Sequence, residues 1–244
     1  VARNVFVIGM GPGGFGHLTL DAVEAMNSVD VFLVADSATD QADLVWLRSE
    51  LLRRHVRRQH RVITVLDRPD GGAVDDLDQA TLETYSAIIS GLDDDACVGF
   101  LSWGDPALYD SILRIVDALS SRLPLRVTVI PGVSAPQVLA AAHRIPLNRT
   151  DGSVSFVSGP RLLKDFDPAL GDVVVLNDTE LACRGLVAEF PEIEVFWGAY
   201  LGTPDQVLAN GPLGQVIDDL LRLREQLVAH HGWIQDTYLL RVQS

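Results

Sequence analysis

Apolar residues in the first half of this chain fall in short unbroken runs, separated by longer stretches where they recur every three to four positions. NVFVIG, DVFLVA, RVITVL, ACVGFLSW and LRVTVI are runs of the first kind and predict buried strands. The stretches between them, at about 19–28, 41–57, 75–91, 107–121 and 134–143, predict helices. Strands that alternate with helices imply parallel pairing through right-handed crossovers. The expected class is α/β, with a parallel-sheet N-terminal domain.

The pattern changes after Arg144. IPLNRTDG is a connector rich in turn-forming residues, and it predicts a boundary between domains at 1–147 and 148–244. Beyond it, SVSFVSG, DVVVLN, IEVFWGAYLG and DTYLLRV predict strands, while helices are expected only near 179–189 and 213–230. The second domain reads as a smaller, mixed α/β unit. There is no internal repeat.

Glycine and proline cluster where three of the first-half strands end: GMGPGG (9–14), SWGDPALYDS (102–111) and PGVSAPQVL (131–139). In a parallel sheet these turns share the carboxyl edge, where open α/β sheets bind ligands. Gly9, Gly11 and Gly14 match G-x-G-x-x-G, and Asp30 and Asp36 follow, as a nicotinamide dinucleotide site would ask. That reading requires the turn to open directly into a helix whose first amides hold the pyrophosphate. Here the turn runs on through Pro12, Gly13, Gly14, Phe15 and Gly16, and helical spacing begins near Leu18 or Thr19. An NAD(P)-dependent oxidoreductase is therefore disfavoured. In the second turn Asp105 suits an N-cap with Pro106 at the first helical position. In the third, Ser134 and Gln137 have the spacing of a capping box. Two helix starts beside a glycine-proline turn suit a ligand with a carboxylate, a ribose and an adenine.

Composition narrows the partners. Of 244 residues, 48% are apolar and 21% charged, as in soluble globular proteins. No apolar run approaches a membrane span and no leader pattern opens the chain, so a cytoplasmic protein is expected. Cys97 and Cys183 stand alone in apolar surroundings without metal spacing and read as small buried hydrophobes of a reducing compartment. The net charge of −14 argues against nucleic acid as a partner. RRHVRRQHR (53–61) runs against that balance; it reads as a solvated helix end, with an anion-facing patch as the alternative.

The turns GMGPGG (9–14), GDPALY (104–109) and PGVS (131–134) resemble, in order and spacing, those of the tetrapyrrole methylase family. NSVDVFLVADSATDQADLVWLR, AAAHRIPLNR, VFWGAYLGTPDQVL and GWIQDTYLLR are similar to the branch of that family that acts on precorrin-5. Two departures stand out: Gly14 where an acid often follows the first turn, and Ser37 where a lysine is expected after Asp36.

The resemblance implies two α/β domains with the active site in the cleft between them, and a homodimer. It implies S-adenosyl-L-methionine as cofactor and S-adenosyl-L-homocysteine as product. The reaction implied is methylation of precorrin-5 at C1 with loss of acetate, giving precorrin-6A; methylation at another ring position, or a non-catalytic sensor, are the alternatives. Carried over by motif, the cofactor contacts would be Pro12, Gly104, Asp105, Leu108, Ser134 and Ala135, with Leu176 and Gly202 from the second domain. Asp36, Asp105, Tyr109, His143 and Tyr200 are the polar candidates for catalysis, although Asp105 could serve only as a cap and His143 only as a helix end. Arg144 and Arg149 flank the connector and are expected, ahead of the 53–61 cluster, to meet the carboxylates of the substrate.

Overall fold

The computed structural model of the chain describes residues 2–37, 42–67 and 79–242. It divides into two compact units, Val1–Ser134 and Ala135–Ser244. Each holds one five-stranded sheet.

In the first unit β1 (Arg3–Gly9), β2 (Val31–Ser37), β3 (Arg61–Asp67), β4 (Val98–Ser102) and β5 (Leu125–Ile130) pair in the order β3-β2-β4-β1-β5, all parallel. The crossovers run through α1 (Leu20–Met26), α2 (Ala42–His55), α3 (Gln79–Ser90) and α4 (Ile112–Ser120). Successive strand residues point to opposite faces, and both faces are covered. Val5, Val7, Val31, Leu33, Val98 and Phe100 pack with the buried residues of α3 and α4. Ile8, Met10, Phe32 and Val34 pack with those of α1 and α2. Burial on two sides is why the central strands β2, β4 and β1 are unbroken apolar runs rather than alternating ones, and each such side chain contributes about 1.5–3 kcal/mol by leaving water. The edge strands β3 and β5 are not buried as expected, with Val62 49%, Val127 37% and Val129 44% exposed.

The second sheet is mixed. β6 (Val154–Ser158), β7 (Asp172–Leu176), β8 (Glu194–Ala199), β9 (Val207–Pro212) and β10 (Asp236–Arg241) take the order β6-β7-β10-β8-β9. Only β6 and β7 run parallel. Trp197, Tyr238, Leu240 and Val175 form a core with residues of α6 (Gly159–Asp165) and α7 (Leu213–His231). The helix α5 (Ala135–His143) packs against β8 and β10. The compact units therefore part between Ser134 and Ala135, ahead of the connector that the sequence pattern singles out, because α5 goes with the second sheet.

Several expected elements differ. The helix predicted at 107–121 begins only at Ile112, since Tyr109 takes a left-handed backbone (φ 54°) and interrupts it. The helix predicted at 75–91 is α3 from Gln79 onward; its first residues, like residue 41 of the helix predicted at 41–57, lie outside the described residues. Instead of a helix over 179–189 there is a 3-10 segment, Ala182–Leu186, entered through Leu181 in the left-handed region. The run IEVFWGAYLG stops pairing at Ala199, because Tyr200 also adopts positive φ. The strand β9 and the helix α6 were not expected. VLANGP contains Ala, Asn, Gly and Pro, all poor strand formers, and forms an edge strand with only one pairing neighbour.

Candidate functional site

β4, β1 and β5 are neighbours, so the three glycine-proline turns leave the sheet side by side. They are also bonded to one another. The Met10 N–H donates to Ser102 O (2.8 Å). Gly11 and Gly104 exchange two backbone bonds, Gly11 N–H to Gly104 O (3.2 Å) and Gly104 N–H to Gly11 O (2.9 Å). The Gly132 N–H donates to Asp105 Oδ2 (2.8 Å), joining the third turn to the second. A Cβ on Gly9 would stand 2.6 Å from Gly132 N and 2.9 Å from Gly104 O. The first glycine is thus required by close approach of two neighbouring turns, not by approach of a pyrophosphate. Several amides that a dinucleotide site would offer are already taken, and α1 starts only at Leu20, capped by Thr19, whose Oγ1 accepts from Ala22 N–H (3.0 Å). The geometry agrees with the late helix start read from the sequence.

Asp105 is not an N-cap. Its Oδ1 accepts from Ala107 N–H (2.8 Å) in a local turn and its Oδ2 from Gly132 N–H, and Asp105 stands seven residues ahead of Ile112, the first helical residue of α4. The helix start belongs to Asp110, whose Oδ1 accepts from Ile112 N–H (2.8 Å) while its Oδ2 accepts from the buried Ser102 hydroxyl. Pro106 accordingly lies in the turn and not at a helix start. Ser102 and Asp110 were missed by sequence reasoning, although the Asp-Ser pair just before the apolar run ILRIV was a cap signal in competition with Asp105. Pro12 is buried within the first turn, Gly104 has φ 65°, and Leu108 is half-buried. Tyr109 is 48% exposed, and what burial its hydroxyl has holds its pKa above the ordinary tyrosine value. Ser134 is buried and immediately precedes Ala135, the first residue of α5.

The turns 9–14, 102–111 and 131–134 contain no lysine or arginine. Their two carboxylates, Asp105 and Asp110, bring negative charge to the edge, and Arg48 of α2 lies over the Trp103 ring of the second turn (5.7 Å).

The candidates of the second unit are mostly fixed by its own packing. Tyr200 is 3% exposed, its hydroxyl donates to Trp233 O (2.6 Å), and its ring packs on Trp233 and His231. It reads as a core residue and not as an exposed acid or base. His143 ends α5, with Nε2 3.0 Å from Trp197 O and its ring edge-to-face on Phe196 (5.4 Å). Arg149 is tied to Asp172, with Nη2 2.9 Å from Oδ1. Asp172 is 1% exposed and also accepts from Arg241 Nε (3.0 Å) and Val242 N–H (3.1 Å). Arg144 is exposed, in left-handed backbone (φ 57°) where the chain leaves α5. Leu176 ends β7, and Gly202 (φ 81°) lies in the turn after β8, its N–H donating to Gln206 Oε1 (2.8 Å). Asp36 lies in β2 opposite Leu66, with its side chain outside the described residues.

The basic segment 53–61 has the character of a solvated helix end. Arg53 and Arg54 both pair with Glu50, whose carboxyl they pull down to about 2, and Arg58 pairs with Asp30. Burial pushes the Cys97 thiol up to about 11 and that of Cys183 to about 12, so both are inert thiols at neutral pH. Among the described residues no three histidine, cysteine or acidic side chains come together as metal ligands. No described helix is long and apolar enough to cross a membrane.

Known proteins share this arrangement. The family described as Tetrapyrrole (Corrin/Porphyrin) Methylases matches residues 4–217. The "Precorrin-6A synthase [deacetylating]" of Sinorhizobium sp is 36% identical, covering 98% of this chain and 95% of that protein. A solved cobalamin-synthesis-related protein (CobF) from Corynebacterium diphtheriae is 31% identical with a TM-score of 0.88, covering 100% of both chains. The uroporphyrin-III-C-methyltransferase of Thermus thermophilus shares the fold at 20% identity, with a TM-score of 0.66 over 98% of this chain and 92% of that one.

Proposed function

The chain belongs to the tetrapyrrole methylase family, and from that premise we propose that it methylates precorrin-5 at C1 and releases acetate, giving precorrin-6A. The observation that supports this reading best is the 36% identity to the Sinorhizobium enzyme, which runs over 98% of the chain and so is not confined to the turns shared by the whole family. S-adenosylmethionine is the proposed donor, and S-adenosylhomocysteine the co-product. It supplies a methyl group already activated as a sulfonium, and Asp105 and Asp110 in the second turn are the carboxylates that favour that charge. The main task of the protein is then alignment.

The bonds among the three turns give that alignment a rigid frame. Pro12, Gly104, Asp105, Leu108, Ser134 and Ala135 are the proposed cofactor contacts, with Leu176 and Gly202. Loss of the acetyl group asks further for an activated water and for support of a carbonyl oxyanion. Tyr109 suits the second role: the residue is half exposed and its hydroxyl, with its pKa raised by partial burial, remains a donor at neutral pH. Asp36 is the proposed polar partner from β2. Arg144 is the proposed contact for substrate carboxylates, since Arg149 holds Asp172. We place the enzyme in the cytoplasm as a homodimer.

The test is mass analysis of the product formed from precorrin-5 and methyl-labelled S-adenosylmethionine. A labelled methyl together with free acetate supports the reading. A labelled methyl without acetate points to another ring position. Calorimetry discriminates the class: binding of S-adenosylhomocysteine and none of NADH is expected, and the reverse result restores the dinucleotide reading.

A further inference from the structure

The chain leaves the first turn through a 3-10 segment, Phe15–His17, closed by the His17 N–H donating to Gly14 O (2.9 Å). Gly11 has φ 76° and lies directly under His17, for a Cβ there would stand 2.5 Å from the His17 Cβ. Gly11 is also half of the two-bond bridge to Gly104. The imidazole is therefore anchored beside the contact that joins the first and second turns, at the carboxyl edge of the first sheet.

Its two nitrogens are not equivalent. Nδ1 is fully buried and has no hydrogen-bond partner, although the residue as a whole is only half-buried. No described residue bonds Nε2 either. A proton on Nδ1 would be a buried donor without an acceptor, the kind of orphan that folded proteins avoid most strictly. The stable arrangement keeps Nδ1 as a bare lone pair and puts the proton on Nε2. The imidazolium would need protons on both nitrogens, and burial accordingly holds the pKa of His17 below the ordinary histidine value.

We propose that His17 is held in the Nε2–H tautomer as a neutral hydrogen-bond donor to a ligand carboxylate at the carboxyl edge of the first sheet. The three turns carry no lysine or arginine of their own, so within them an anionic group meets neutral donors; the cations beside them come from α2, Arg54 over the Phe15 ring (3.8 Å) and Arg48 over the Trp103 ring (5.7 Å). Both ligands of the proposed reaction bring carboxylates, one on the amino-acid end of the methyl donor and others on the tetrapyrrole arms. The inference rests on that functional reading for the identity of the ligand, but not for the tautomer.

Imidazole nitrogen NMR of the full-length protein tests both parts. In the free protein the His17 signals should show a protonated Nε2 and a bare Nδ1; the opposite tautomer overturns the inference. Three probes then follow: S-adenosylhomocysteine, methylthioadenosine, which lacks the carboxylate, and uroporphyrin III, a tetrapyrrole octacarboxylate. A shift of Nε2 with S-adenosylhomocysteine but not methylthioadenosine assigns the donor carboxylate. A shift only with uroporphyrin assigns the tetrapyrrole. In either case His17→Leu should weaken that ligand at least tenfold by calorimetry. His17→Gln, which restores a donor near Nε2, should stay within threefold of wild type. Unchanged affinity in His17→Leu, or an unmoved Nε2 while S-adenosylhomocysteine binds with measurable heat, overturns the inference alone. Failure of every probe to bind overturns it together with the functional reading.

Discussion

Asp105 holds two turns together through two backbone amides, Ala107 and Gly132, and both bonds run to an ionised acceptor. Bonds to a charged group contribute about 1.5–3 kcal/mol each, less where water can substitute. Asp105→Ala should thus lower stability by about 2 kcal/mol in chemical unfolding and weaken S-adenosylhomocysteine in calorimetry. Lost stability with unchanged affinity would leave Asp105 as scaffold alone. The two arginines beside the connector should separate. Arg149→Ala removes one of two cations on a buried carboxylate, so it should cost about 1.5 kcal/mol of stability with little change in substrate KM. Arg144→Ala should leave stability nearly unchanged and raise that KM about tenfold, the equivalent of one charge-assisted contact. His17 adds a pH dependence. Its folded pKa lies below the unfolded value, so its contribution is present above about pH 6.5 and is lost as pH falls from there through the folded pKa. Unfolding curves between pH 7.5 and 5 should therefore show a steeper acid loss in the wild type than in His17→Gln.

At the scale of elements, α1 offers the cleanest test of where a helix begins. Thr19→Ala removes the side-chain N-cap of a seven-residue helix and should lower stability by about 1 kcal/mol. No change would mean that the burial of Ala22, Ala25 and Met26 alone fixes the helix. This start was legible in the sequence because Thr19 coincides with the onset of helical spacing. The centre of the first sheet was legible for a similar reason: β2, β4 and β1, buried on both faces, appear as unbroken apolar runs, whereas the apolar runs of the edge strands β3 and β5 do not reveal that they stay partly exposed. What was hidden depends on contacts distant in sequence. β9 is a strand because β8 pairs with it, not because Ala, Asn and Gly favour one. Asp105 and Asp110 both precede the apolar run of α4, and only the approach of Gly132 decides that the first ties turns and the second caps. The tie between Arg149 and Asp172 spans 23 residues, with β6, α6 and a 3-10 segment (Pro168–Leu170) between, and no local pattern marks it. At the site, the glycine turns were legible as a shared edge, whereas the reason for the first glycine lay in another turn's backbone.

At the scale of the whole molecule, the net charge of −14 acts on the two proposed ligands with opposite sign. S-adenosylmethionine carries a sulfonium and an ammonium against one carboxylate, so it arrives as a cation. The tetrapyrrole carries several carboxylates and arrives as a polyanion. The field of an acidic protein attracts the first and repels the second over distances set by the Debye length, about 30 Å at 0.01 M salt and about 8 Å at 0.15 M. Raising the salt between those limits should therefore weaken S-adenosylmethionine while raising kcat/KM for the tetrapyrrole. S-adenosylhomocysteine, which lacks the sulfonium charge, should be nearly indifferent and so serves as the internal control. A local arginine such as Arg144 opposes this trend only at contact range, where screening is weak, so it should set the plateau and not the slope. If kcat/KM for the tetrapyrrole fell with salt instead, a concentrated positive surface would have to dominate the encounter. The exposed arginines of the 53–61 segment that pair with no carboxylate among the described residues, Arg57 and Arg61, would then be the first residues to replace.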